Sequence, residues 1–144
     1  MAFQQSDAIV IKRSRGKGRG VYARRLIRKG EVLERVPVIV MSLDEYAKGI
    51  AETVLKDYCF QWGEGRVALA LGYGSVYNHS YKPNARYDDV GPMTKQFTAL
   101  RDIRPGEEIS VNYNGEPRSR AKVWFDVAEA GPPKVGEGPL APER

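Results

Sequence analysis

Apolar residues along this chain come in short clusters broken by Gly, Pro and Asn, a pattern that predicts short strands instead of long helices. Six clusters read as strands: Ala8–Lys12, Glu31–Arg35, Pro37–Val40, Val67–Leu71, Gln96–Leu100 and Ile109–Val111. Turn signals separate them at Lys29-Gly30, Gly63-Glu64-Gly65 and Arg104-Pro105-Gly106-Glu107. One helix is marked. Ser42 and Glu45 form a capping-box signature, and Leu43, Tyr46, Ala47, Ile50 and Val54 recur at three- and four-residue steps up to about Lys56. The expected class is mainly β, several small sheets with one short helix, and no internal repeat is visible.

The chain has 144 residues, the size of one domain, and its 42% hydrophobic share is ordinary for a globular protein. No run approaches the roughly 20 apolar residues of a membrane helix. The start, Met1-Ala2-Phe3-Gln4-Gln5-Ser6-Asp7, lacks the basic and apolar regions of a secretory signal, so a soluble intracellular protein is expected, without membrane partners. The single cysteine, Cys59, excludes an internal disulfide, and with one histidine, His79, no protein-borne metal is expected. From Ala128 the composition turns to Gly, Pro and charge. Residues 1–127 are read as the domain and 128–144 as a loose tail.

Charge is uneven. Residues 1–35 carry ten Lys/Arg against three Asp/Glu, whereas residues 36–112 carry eight against ten. The basic N-terminal third suits either nucleic acid or a solvated rim. An acidic groove for a basic partner would have to come from Asp57, Glu64, Asp88 and Asp89.

Three motifs carry candidate chemistry. Gly18-Arg19-Gly20-Val21-Tyr22-Ala23 formally satisfies a dinucleotide fingerprint, but Lys29-Gly30 cuts off the helix that a crossover needs. It reads better as a backbone turn that lets main-chain groups approach a ligand. Asn78-His79-Ser80 pairs a serine with a histidine, yet adjacent side chains in extended chain point apart and no nucleophile elbow surrounds the serine. Tyr113 ends the strand Ile109-Ser110-Val111, and alone would be a tyrosine keeping its hydroxyl for a hydrogen bond.

Together these pieces resemble the SET domain. The resemblance rests on Gly16-Lys17-Gly18-Arg19-Gly20 with Ile27-x-x-Gly30-Glu31, on Asp57-Tyr58-Cys59-Phe60, on Asn78-His79-Ser80-x-x-Pro83-Asn84, and on Gly106-Glu107-Glu108 leading to Tyr113 and Trp124-Phe125-Asp126. It covers roughly Ile9 to Asp126 and implies a β-clip fold of small sheets with a threaded C-terminal segment. The implied activity is S-adenosylmethionine-dependent N-methylation of a protein lysine. By the same resemblance, Lys17, Gly18, Arg19, Asn78, His79, Tyr113, Trp124 and Phe125 hold the cofactor, and Tyr113 is catalytic. Tyr58 lines the substrate channel, with Tyr22, Tyr73 and Tyr77 as further candidates. Val111, where a tyrosine would restrict the family's product, leaves room for more than one methyl group.

Departures from the family matter for the substrate. Tyr81 stands where many histone-directed members carry a zinc-binding cysteine, and Ser75 where a basic residue is common. A minimal, zinc-free enzyme of bacterial or viral type is therefore expected, cytoplasmic in the first case and nuclear in a viral or eukaryotic setting. Its partner would be a protein with an accessible lysine, a histone or basic nucleoid protein among the possibilities, and homodimerisation stays open. The competing reading is an inactive SET-fold binding module using its basic third on nucleic acid or a protein.

Overall fold

Period-two alternation is plainest over Thr94–Ala99, where Lys95, Phe97 and Ala99 are buried and the residues between are half-buried. A strand with one face on the core reads this way. The computed structural model describes residues 2–124, and among them nine strands form two sheets. They are β1 (Ile9–Ser14), β2 (Gly18–Ala23), β3 (Val32–Ser42), β4 (Cys59–Gln61), β5 (Arg66–Ala70), β6 (Asn78–His79), β7 (Ala85–Gly91), β8 (Thr94–Ala99) and β9 (Glu108–Val111). One sheet has the order β1-β2-β9-β6 and the other β4-β5-β3-β8-β7. All pairings are antiparallel except β6 with β9. Val21, Ile27, Phe97, Ile103 and Ile109, all without solvent exposure, mark the core. The mainly β expectation holds.

Several details differ from the sequence reading. The strands expected at Glu31–Arg35 and Pro37–Val40 merge, from Val32 onward, into the single strand β3, which pairs with β8 from Val32 to Pro37 and with β5 from Val38 to Ser42. Pro37 sits at this handover, where its carbonyl accepts from Leu71 N at 3.0 Å, and a residue without an N–H is tolerated there. The glycine-rich motif is itself a strand, β2, paired along β1, with the turn at residues 15–17.

The helix expected up to Lys56 is broken into single turns. Ser42 caps Leu43–Glu45 through the anticipated box, but Tyr46–Ile50 then widens to a π turn and Val54–Tyr58 is 3₁₀. None of these residues is buried, and Leu43 and Val54 are 52% and 67% exposed. The apolar spacing has no core face to rest on, so nothing stabilises a continuous helix. No helix among the described residues is long and apolar enough to cross a membrane.

The expectation of no internal repeat is also overturned. Ala23-Arg-Arg-Leu-Ile-Arg-Lys-Gly-Glu31 and Ala99-Leu-Arg-Asp-Ile-Arg-Pro-Gly-Glu107 adopt matching corners. Ile27 and Ile103 exchange both backbone hydrogen bonds, at 2.9 and 2.8 Å. Gly30 N donates to Ala99 O and Gly106 N to Ala23 O, while Ala99 N returns to Glu31 O and Ala23 N to Glu107 O. Each corner turns on a glycine of positive φ, +84° at Gly30 and +87° at Gly106, where other residues are strained. The two copies clasp each other and direct the chain into β3 and β9 respectively.

Candidate active site

The parallel pairing of β6 with β9 sets Asn78 beside Ser110 and His79 beside Val111. Buried Asn84 fastens this junction by donating to Glu108 O at 2.8 Å and accepting from Ser110 N at 2.9 Å. Chain segments some thirty residues apart thus meet at the base of Tyr113. His79 Nδ1 accepts from Tyr113 N at 3.0 Å, so that nitrogen carries no proton here and the ring acts as a backbone clasp. The Tyr113 hydroxyl donates to Tyr77 O at 2.6 Å, and Tyr113 O accepts from the Tyr87 hydroxyl at 3.1 Å. Both ends of Tyr113 are therefore held.

On the other side of Asn78 lies the glycine-rich hairpin. Asn78 Nδ2 donates to Arg19 O and to Glu108 Oε2, each at 2.7 Å. The Glu108 carboxylate also accepts from Ser14 Oγ at 3.0 Å and faces Lys17 Nζ at 3.6 Å. A side chain at position 20 would collide with Glu108 and lie 2.9 Å from Asn78 Nδ2, so Gly20 keeps β2 bare at this point.

Tyr113 opens onto a cleft of about 510 Å³ whose walls include Tyr58, Phe60, Tyr87, Val111 and Trp124. The Trp124 ring stacks on Tyr113 with centroids 5.7 Å apart and planes 18° from parallel. Glu64, Asp88 and Asp89 also line it, three of the four carboxylates expected to supply an acidic groove. Asp88 is engaged by Arg86 at 3.0 Å and Asp89 by Lys95 at 2.7 Å. Lys95, only 1% exposed, lies 4.3 Å from the Phe60 ring centre, 4.4 Å from Tyr87 and 5.2 Å from Trp62. Burial lowers the Lys95 pKa, and the Asp89 carboxylate works against that shift. Burial pushes the Tyr87 hydroxyl up to about 12, so it stays a donor at neutral pH.

The structure gathers Tyr58, Val111, Tyr113 and Trp124 around the cleft and Lys17, Arg19, Asn78 and His79 behind it. Tyr77 also lines the cleft, but its hydroxyl points to Glu34 at 2.9 Å. Tyr73 and Tyr22 stand elsewhere. Tyr73 borders a separate cavity and its hydroxyl accepts from Gln5, while the Tyr22 ring lies under Lys12 Nζ at 5.4 Å. Phe125, like residues 128–144, lies outside the described residues. Sequence reasoning passed over Phe60, Tyr87, Lys95, Glu108 and Glu34. Phe60 and Glu108 had usable signals, their places in Asp57-Tyr58-Cys59-Phe60 and Gly106-Glu107-Glu108; the other three had none.

Comparison with known proteins bears on this arrangement. The SET domain family pattern matches residues 18–114. A Schizosaccharomyces pombe protein named histone-lysine N-methyltransferase, H3 lysine-37 specific, is 35% identical over 118 residues, covering 81% of this chain and 76% of its own length. Among solved structures, a Plasmodium falciparum protein described as a candidate histone methyltransferase is 30% identical with a TM-score of 0.63, over 76% of this chain and 94% of its own. A humanized mutant of the Chaetomium thermophilum Polycomb Repressive Complex 2 shares the fold alone, at 23% identity and a TM-score of 0.62, over 75% of this chain and 15% of its own. With most of its strands, its Asn78–Tyr113 junction and all of its cleft but Gly115 and Trp124 inside the matched span, this chain belongs to the SET domain family, and it is a methyltransferase.

Proposed function

We propose that the chain transfers a methyl group from S-adenosylmethionine to the side-chain amine of a protein lysine, with Tyr113 as the catalytic residue. The observation that carries this reading is the Tyr113 hydroxyl, fixed at 2.6 Å on Tyr77 O beneath an aromatic-walled cleft. The donor set fits the cofactor. Asn78, the Arg19 carbonyl and Glu108 offer polar groups to an amino-acid moiety, Gly20 clears the backbone beside them, and the Tyr113 and Trp124 faces suit a flat base. When bound, the cofactor supplies a methyl group activated by a cationic sulfonium.

What remains for the protein is alignment, dryness and a neutral amine. Lysine at its ordinary pKa near 10.4 costs roughly 4 kcal/mol to neutralise at pH 7. Phe60, Tyr58, Tyr87 and Trp124 surround the cleft with aromatic surface, which disfavours lysinium by desolvation. Tyr113 and the Tyr77 carbonyl orient a nitrogen without adding charge. Val111, 1% exposed on β9, leaves space beside Tyr113 for a methylated amine, so products beyond monomethyl-lysine are expected.

For the substrate class, the relative's named specificity and Glu64 on the cleft wall support a basic, histone-like segment, while Asp88 and Asp89 are already paired with Arg86 and Lys95. The test is titration with S-adenosylmethionine and radiolabelled methyl transfer to histones, followed by mass spectrometry. Asn78→Ala should abolish measurable cofactor binding, and Tyr113→Phe should keep binding but lower turnover roughly 100-fold or more. Folded wild-type protein that binds no cofactor would instead favour the binding-module reading.

A further inference from the structure

Glu34 is a carboxylate in an unusual place. β3 carries a bulge between Val32 and Glu34 in its pairing with β8, and the bulge breaks the strand's alternation: Leu33 and Glu34 are both buried, 1% and 9% exposed. Bulges of this kind re-aim a side chain, often beside an active site. Here the re-aimed carboxylate accepts from the Tyr77 hydroxyl at 2.9 Å and from Tyr73 N at 3.4 Å. Tyr77 is itself 2% exposed and stacks on Phe97, the β8 partner of Glu34, with centroids 4.2 Å apart and planes 14° from parallel. Its carbonyl receives the Tyr113 hydroxyl.

We propose that Glu34 is a positioning residue for Tyr113, acting through Tyr77: the carboxylate anchors the Tyr77 side chain, and the carbonyl of that same residue sets where the Tyr113 hydroxyl points. The proposal rests on the reading of Tyr113 as catalytic. Leaving an ionisable group in the core works against stability, and a glutamate at this point is explained by what it holds. Among the described residues no cation pairs with it. Arg35, its neighbour on β3, is exposed and donates to Gln96 at 2.7 Å. Among the described residues, the groups that meet the Glu34 carboxylate from other elements are the Tyr77 hydroxyl and the Tyr73 N–H, with the Gly72 backbone beside it. Burial therefore raises its pKa to about 7, with the two hydrogen bonds opposing the shift.

Proton exchange has its own route. A cavity of about 310 Å³, bordered by Gln5, Arg35, Gly72 and Tyr73, reaches Glu34 from outside the catalytic cleft. Glu34 can thus change charge while substrate fills the cleft, and a change in its hold on Tyr77 is passed to Tyr113.

The experiment compares Glu34→Leu, Glu34→Gln, Tyr77→Phe and Tyr113→Phe in the full chain, measuring kcat and KM across pH 5.5–9 and the ring signals of Cζ-labelled tyrosine by NMR. Glu34→Leu and Tyr77→Phe are expected to lower kcat by about 10- to 100-fold with smaller changes in KM, the signature of misalignment. Glu34→Gln, which keeps an oxygen for the Tyr77 hydroxyl, should recover most of that loss and remove an ionisation near pH 7 from the kcat profile. The Tyr113 ring signal, assigned by its absence in Tyr113→Phe, should shift across the same pH range in wild type and stay flat in Glu34→Gln. If Tyr113→Phe is inactive while Glu34→Gln and Tyr77→Phe retain the wild-type rate and profile, the positioning role is wrong and the catalytic reading stands. If Tyr113→Phe is as active as wild type, both fall.

Discussion

The corners at Ala23–Glu31 and Ala99–Glu107 share a sequence frame and a hydrogen-bond frame, yet one leads into β3 and buried Glu34 and the other into β9 and Tyr113, the proposed catalytic residue. In the first, the Glu31 carboxylate takes Arg28 N at 3.1 Å and Arg25 at 2.7 Å; in the second, Glu107 takes Arg104 N at 2.9 Å and Arg101 at 3.0 Å. Arg25 holds the Glu31 carboxyl below its usual range, and Arg101, with help from Arg104, holds Glu107 at about 2. Three residues past each glutamate the copies part company. The first reaches Glu34, buried behind Tyr77, and the second reaches Ser110, three residues before Tyr113. The corner is thus a reusable way to clasp two sheets, and function depends on what each strand carries beyond it.

The sharpest way to break the equivalence is at its centre. Ile27→Ala and Ile103→Ala each remove a fully buried side chain, and each should cost about 2–5 kcal/mol in urea unfolding. If the corners bear equal load the two losses agree, whereas a much smaller loss at one would make that copy decorative.

The difference beyond the corners can be sharpened by pH. Folded Glu34 keeps its proton to about 7, while the unfolded chain releases it near 4.5. The folded state therefore binds more protons in that window, and this group's contribution to stability is fully present below 4.5 and lost as pH rises through about 7. The full effect is roughly 3 kcal/mol. Urea melts at pH 5 and pH 8 should show wild type losing most of that relative to Glu34→Gln. Parallel pH dependence in the two proteins would count against the shifted carboxylate.

Smallest are the turns themselves. Gly30→Ala and Gly106→Ala meet no atom within 4 Å, so each should cost only the left-handed backbone strain, about 1–2 kcal/mol, without reducing methyl transfer measured well below the melting temperature.

Much of this was legible in the chain. Asn78-His79, the glycine-rich segment and Tyr113 were marked by type and order, and the parallel β6–β9 pair brings them together. The capping box at Ser42 and Glu45 was legible, but the helix behind it was not, because periodicity reports a possible face and says nothing about whether a core lies opposite. β7 was missed because Arg86-Tyr87-Asp88-Asp89 is poor in strand formers; its pairing with β8 makes it a strand. The repeat escaped notice because its copies are short and lie far apart in the chain, although six of their nine positions are identical, and the reciprocal hydrogen bonds make it evident.

What the sequence determined by itself was the β class and the kinds of group available for chemistry, since alternation, turn residues and motif order are local properties. Tertiary structure decided which of the tyrosines share a cleft, why Lys95 is buried among rings with Asp89 at 2.7 Å, and why Glu34 faces Tyr77. Those outcomes depend on strand register and on one bulge, and a one-residue change of register sends a side chain to the opposite face.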